Sequence, residues 1–251
     1  MSGHSKWSTI KRQKGATDAK RGQLFTKLTR EIMAASREGG GNPELNARLR
    51  LAVQKARDNN MPVENVDRAI KRATGEGEDI SLTEVTYEGY GPNGTAILMQ
   101  ALTDNRNRTI QEVRSVMNRG GGTLGDSGCV AWIFENRGII VINNEGIDAE
   151  EVALWAIDAG AEDVKIEEDY TEIYTEPTEV EAVRLALKNK GLQITSADVA
   201  LVPSNTVELD KHSSLQILKL IDKIEGLEDI QRVFTNADLS DAALEEYQFQ
   251  A

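Results

Sequence analysis

The chain has 251 residues, 39% of them hydrophobic and 5% aromatic, with a formal net charge of -12. That length holds up to three small domains, and the aliphatic content excludes wholesale disorder. A single cysteine, Cys129, excludes an internal disulfide and a Cys-based zinc site. No apolar run approaches the ~20 residues of a membrane span, and the start lacks a secretion signal or a myristoylation glycine, so a cytoplasmic protein with no membrane partner is expected.

Residues 1–17 show neither helical nor strand periodicity, and Trp7 and Ile10 are their large apolar side chains after Met1. They read as an arm. An acid-poor basic leader is also the mark of a transit peptide, but the weak apolar face and the basic run continuing into the first helix argue against that. From Asp18 to Arg37, Leu24, Phe25, Leu28, Ile32 and Ala35 form one helical face, ended by Gly39, Gly40 and Gly41. Asn42 and Pro43 predict the start of a second helix, with Leu45, Leu49, Ala52, Val53 and Ala56 as its buried stripe. Asn59-Asn60-Met61-Pro62 breaks it, and a third helix over 63–74 carries Val66, Ala69, Ile70 and Ala73 inward. The acidic stretch GEGED (75–79) then reads as a linker.

The rest alternates strands and helices. TEVTYEGY (83–90) and TAILMQAL (95–102) flank a Gly-Pro-Asn-Gly turn. A helix is expected over 108–119 and a strand over CVAWIF, 129–134. Strand 138–143, helix 149–160, hairpin 163–168 with 170–175, helix 179–191 and strand 197–203 follow in βαββαβ order, the ferredoxin-like unit. Helix 213–226 and strand 229–234 complete the flanking elements. The expected fold class is α+β: an N-terminal three-helix domain followed by two ferredoxin-like α+β domains, one inserted into the other. The boundaries are a basic arm and helical domain over 1–78, a discontinuous α+β domain over 79–135 and 205–251, and an inserted acidic domain over 136–204.

Three stretches look enzymatic and fail on chemistry. GYGPNG (89–94) fits a dinucleotide fingerprint, but a strand rather than a helix follows it, so it reads as a hairpin turn. GDSG (125–128) resembles a serine-protease loop, yet His4 and His212 are the only histidines and nothing else supports a triad. Glu167-Glu168-Asp169 lacks the spacing of a calcium loop. No catalytic residue, metal site, cofactor or small-molecule substrate is expected, and the protein reads as non-enzymatic.

Charge is distributed unevenly. Residues 1–75 carry 16 Lys and Arg against 7 Asp and Glu, a net +9, which leaves −21 for the remainder. Such asymmetry suggests that one end meets a polyanion. Lys6, Lys11, Arg12, Lys14, Lys20 and Arg21 offer phosphate partners, and an exposed Trp7 would offer a stacking face for an unpaired base. Alternatively, Trp7 anchors the arm to the helical domain. In TDNRNRT (103–109), Arg106 and Arg108 sit at a helix start, where the dipole disfavours cations. An anion bound between them would explain that placement, and so would pairing with Asp104 or Glu112. The loop RGGGTLGDSG (119–128) either lets backbone approach a ligand or serves as a helix cap and bulge. Residues 44–74 have a helix-turn-helix outline, but Glu64 and Asp67 stand where base-reading residues should. Residues 135–181, with 15 acids and 2 bases, read by default as a solvated face; nucleic acid is expected to avoid it, and it would also serve to orient the molecule or to meet a basic protein.

GHSKW at the start, DAKRGQLFTKLTREI, the NNMP turn, YEGYGPNGTA and TDNRNRT together resemble the YebC family nearly from end to end. The resemblance implies three domains, one α+β domain nested in another. It also implies one of two functions: a transcriptional regulator that binds DNA, or a ribosome-associated factor that aids difficult translation, as in the mitochondrial activator of cytochrome oxidase synthesis. Both need a nucleic-acid partner, DNA or ribosomal RNA. A flexible basic arm with a tryptophan leans toward RNA, which proteins grip by stacking and phosphate contacts.

Overall fold

The computed structural model describes residues 18–75 and 82–250, with side chains from Arg21 to Tyr247. Contacts group the chain into two compact units, one made of residues up to Ala131 and from Thr206 onward, the other Trp132–Asn205.

The first unit begins with three helices, α1 (Asp18–Gly39), α2 (Ala47–Asp58) and α3 (Val63–Thr74). Leu28, Ile32 and Ala35 of α1 meet Leu49, Ala52, Val53 and Ala56 of α2 and Val66 and Ala69 of α3 in one buried cluster. The second helix starts later than Asn42-Pro43 suggests. Asn42 caps only a turn, accepting from the Glu44 N–H at 3.0 Å, and Asn46 is the true cap. Its Oδ1 accepts from Leu49 N at 3.0 Å while its Nδ2 donates to the carbonyls of Ala35 and Gly40. One buried amide thereby satisfies the end of α1 and the start of α2. Leu45, expected in the buried stripe, precedes that cap and is 85% exposed.

The same unit contains an antiparallel sheet in the order β3-β1-β2-β9. Its strands are β1 (Thr83–Tyr90), β2 (Ala96–Thr103), β3 (Thr123–Leu124) and β9 (Ile230–Thr235). Two helices, α4 (Arg106–Arg119) and α7 (Lys211–Glu225), cover one face. Ile97, Met99 and Ala101, alternate residues of β2, pack there with Val113, Met117, Ile217, Ile221 and Ile224. The GPNG stretch is a hairpin turn, with Asn93 and Gly94 at φ 58° and 73°. Gly89 lets β3 close on β1, since a Cβ there would lie 2.5 Å from the Thr123 carbonyl oxygen. In chain order the elements run ββαβ, then αβ after the insertion. The likeness to a ferredoxin-like unit therefore lies in the layers, one sheet under two helices. A short parallel pair, β8 (Val207–Glu208) with β10 (Ala237–Asp238), and a last helix, α8 (Asp241–Gln250), complete the unit. Ala243, Leu244 and Tyr247 of α8 join the sheet's core.

The second unit is the βαββαβ set. Strands β4 (Phe134–Asn143), β5 (Asp163–Ile166), β6 (Tyr170–Thr175) and β7 (Ile194–Pro203) form an antiparallel sheet in the order β5-β6-β4-β7. Helices α5 (Ala149–Asp158) and α6 (Val180–Asn189) cover it through Val152, Ala156, Val183 and Leu187. That is the ferredoxin-like order expected from the sequence.

The expected strand CVAWIF does not form as such. Ala131–Ile133 is a single 3-10 turn, and β4 begins only at Phe134. The cause is Glu88, a buried carboxylate on β1 that accepts backbone N–H groups from Gly128, Val130 and Ala131 at 2.7, 2.8 and 2.7 Å. Burial would raise its pKa, but the three N–H donors outweigh that and hold it below the usual carboxylate range. The loop is thus wrapped around a charge instead of paired in a sheet. Replacing Glu88 by Gln would put an amide where only acceptors fit. We expect Glu88→Gln to cost about 1–3 kcal/mol in urea unfolding, and an unchanged midpoint would show that the loop does not depend on this charge.

Candidate nucleic-acid interface

The densest polar constellation of the first unit lies where α4 begins. Asp229, immediately before β9, is 1% exposed. Arg108 Nη2 reaches its Oδ2 at 2.7 Å, the Thr109 hydroxyl at 2.6 Å and the Thr103 hydroxyl at 3.1 Å. Arg30 of α1 binds Oδ1 with one nitrogen and Glu228 with the other, at 2.6 Å. Burial alone would raise the Asp229 pKa. Hydrogen bonds from Thr109, Arg108 and Arg30 overcome it and hold the group ionised below the normal range. Its hydrogen bonds, with a second bond to Asp104 at 2.7 Å, raise the pKa of Arg108 further. Lys27 adds a tie from α1 by donating to the Glu225 carbonyl at 2.6 Å.

The helix N-terminus itself is satisfied locally, as the Asn105 side chain accepts from Arg108 N at 3.1 Å. Arg108 is therefore paired with Asp104, as one sequence reading allowed, and with Asp229, which no local pattern signals. Arg106, two residues earlier, is exposed and makes no side-chain ion pair among the described residues. The two arginines lie about 200° apart around the helix and form no common clamp. Arg21 is exposed in the first turns of α1, its guanidinium carbon 5.6 Å from the centroid of the Phe25 ring. Lys20 lies within α1, its side chain outside the described set. Lys6, Trp7, Lys11, Arg12 and Lys14 lie outside the described residues.

Two family models match the chain. The TACO1/YebC N-terminal domain covers residues 5–76, and the TACO1/YebC second and third domain covers residues 82–237. The chain belongs to the TACO1/YebC family. A probable transcriptional regulatory protein of Dehalococcoides mccartyi strain 195 is 55% identical over 251 residues, 100% of both chains. One from Halothermothrix orenii is 49% identical over 98% of each. Among solved structures, a conserved hypothetical protein of Aquifex aeolicus matches with a TM-score of 0.78 at 45% identity, over 89% of this chain and 93% of that one.

In this TACO1/YebC chain further exposed cations stand on α2 and α3, of which Arg68 and Lys71 read from the sequence only as complements to the helix dipole. Arg57 on α2 and Arg68 and Lys71 on α3 are exposed and make no ion pair among the described residues. Arg68 and Lys71 stand one turn apart on one helix face. By contrast, Arg48 pairs with Glu38 and Glu84, and Lys55 with Glu31 at 3.1 Å. Composition gave the excess of bases but not which were already spent. Among the described residues no cluster of three His, Cys, Asp or Glu could hold a metal, and no helix is long and apolar enough to cross a membrane.

The carboxylate at 229 sets a pH test. Its folded pKa lies below the unfolded value of about 3.9, so its contribution is full above that value and is lost as the pH falls through the folded pKa. Asp229→Asn should destabilise the protein by about 3–5 kcal/mol at pH 7, since it leaves two arginines short of a partner. It should also flatten the acid limb of a stability–pH profile. An acid limb as steep as that of the parent would assign the transition to other carboxylates.

Proposed function

We propose that this TACO1/YebC-type regulator is a non-enzymatic nucleic-acid-binding protein that grips phosphate backbone through its basic N-terminal part. The observation that carries the reading is the charge division, +9 over residues 1–75 against −21 elsewhere. Exposed, unspent cations at Arg57, Arg68, Lys71 and Arg106 support it. In this reading Lys6, Lys11, Arg12, Lys14, Lys20 and Arg21 neutralise phosphates, and Trp7 stacks on an unpaired base. Arg106 contributes from the second half of the same unit, while Arg108 does so only by giving up part of its pairing with Asp104 and Asp229. The regulatory names of the relatives fit a DNA target. The second reading, a translation factor on ribosomal RNA, is favoured by the arm's composition and by Glu64 and Asp67 at the start of α3, where a duplex reader needs neutral or basic groups.

Binding of ribosomes and of duplex DNA should be measured across a salt series for the intact chain and for one lacking residues 2–21. Loss of those residues removes six Lys and Arg and should lower affinity by roughly 100-fold or more, with a shallower salt slope. Arm-dependent ribosome binding with weak, sequence-blind DNA binding selects translation. A defined duplex bound far above random DNA selects transcription. Arg106→Glu should weaken binding further, whereas an unchanged affinity would remove α4 from the interface.

A further inference from the structure

Helix α5 (Ala149–Asp158) uses one side to cover its sheet. Val152 and Ala156 are buried in the core of the second unit, and Trp155 packs against it. Leu154 stands opposite them, since two residues along a helix turn the side chain through about 200°, and it is 68% exposed. Ile157, three residues on and therefore on the same side, is 51% exposed. The neighbouring helix α6 exposes Leu185 as well. Single exposed apolar residues need no explanation, but Leu154 and Ile157 form one strip with charge at either end.

Glu150, Leu154 and Asp158 follow one another at intervals of four, which places the two carboxylates about 12 Å apart along the axis with Leu154 between them. Glu145, Glu150, Glu151 and Asp158 are exposed and make no ion pair among the described residues. Glu150 and Glu151 serve the helix, whose first turn favours negative charge. Asp158 does the reverse. It ends the helix where the dipole is negative, and no base occupies that last turn. No Lys or Arg occurs between Arg137 and Lys165, and Lys190 of the neighbouring segment is turned to the Trp155 ring, 5.1 Å from its centroid.

These features select an occupant. Nucleic acid and an anionic lipid surface are repelled by the four carboxylates. A second copy of α5 would set acid against acid. An extended peptide would leave its own backbone groups unpaired, because a helix face offers no edge to bond them. A helix satisfies its backbone internally and packs on another helix through side chains alone. The chain's own basic helices, α1 to α3, bury their apolar faces in their shared core. We propose that the outer face of α5 docks an amphipathic helix of another protein, with apolar residues set on Leu154 and Ile157 and a Lys or Arg beyond each end to meet Glu150 and Asp158. This surface is separate from the proposed nucleic-acid interface and needs no residue of it.

The test uses the full-length protein and a peptide of roughly 18 residues, five helical turns, built of Leu, Ala and Lys with one apolar stripe. A peptide of the same composition in scrambled order controls for charge alone. Calorimetry should give a Kd of about 100 µM or tighter for the patterned peptide and binding about tenfold weaker, or less, for the scrambled one. Leu154→Gln combined with Ile157→Gln should weaken the patterned peptide by about tenfold, and Asp158→Lys should weaken it as well. Asp158→Lys should also raise the thermal midpoint, as a base in the last turn complements the dipole, which separates docking from a structural role. Nucleic-acid binding should be unchanged in the double-glutamine variant. Equal binding of the two peptides, or an unchanged affinity in the double-glutamine variant, would overturn the docking face. So would a concentration-dependent dimer in sedimentation equilibrium that the same variant abolishes, since the occupant would then be a second copy.

Discussion

A carboxylate that is 1% exposed and still ionised must be answered by donors, and in this protein the donors of Asp229 come from distant parts of the chain. Arg30 lies on α1, Thr103 at the end of β2, and Arg108 and Thr109 in the first turn of α4. Burying such a charge alone would cost several kcal/mol, so none of these partners is free to drift. The consequence is positional. The start of α4 is clamped to the start of β9, and α1 is clamped to both. The face on which Arg106 is displayed is therefore set by a bond that Arg106 does not make.

This arrangement divides the basic residues into two groups that composition cannot separate. Lys27, Arg30, Arg48 and Lys55 are consumed in holding the three helices against their own sheet or one another. Arg57, Arg68, Lys71 and Arg106 are not. A cation already paired must break that pair to bind phosphate, so its net contribution is small. The second group offers charge without that cost. Of the +9 of residues 1–75, residues 18–75 carry +5, from 12 Lys and Arg against 7 Asp and Glu, and several of those bases are already paired.

Local signals were legible in the sequence wherever local physics decides. The βαββαβ order, the GPNG hairpin turn and the third helix follow from periodicity and turn chemistry, and the structure shows them. Two departures share one cause, a hydrogen-bond partner outside the local stretch. The run CVAWIF is apolar enough for a strand, but Glu88, some forty residues away, claims its N–H groups. Leu45 looks like a core residue until Asn46, bonded back to Ala35, moves the helix start past it. Helix α8 carries a local signal as well, a buried stripe of Ala243, Leu244 and Tyr247. For the site, Arg108 was visible, but its partner stands 121 positions later.

Both stretches that most resemble ligand loops are filled from within. The end of the glycine-rich loop and the two residues after Cys129 surround the Glu88 carboxylate with the N–H groups of Gly128, Val130 and Ala131, and NRNRT surrounds Asp229 with guanidinium and hydroxyl groups. Each arrangement is one that a phosphate would find, and each is occupied by a carboxylate of the chain itself. An external anion could enter only by displacing a buried charge that would then have no partner, a cost of several kcal/mol. Recognition built on these loops would therefore be weak. A phosphate would meet its cheaper partners in cations that the fold leaves unpaired, such as Arg57, Arg68, Lys71 and Arg106. Surface cations of that kind yield affinity that is steep in salt and nearly blind to sequence. On the proposed function, selectivity for a target would come from shape or from unpaired bases, in keeping with the acids Glu64 and Asp67 near the start of α3.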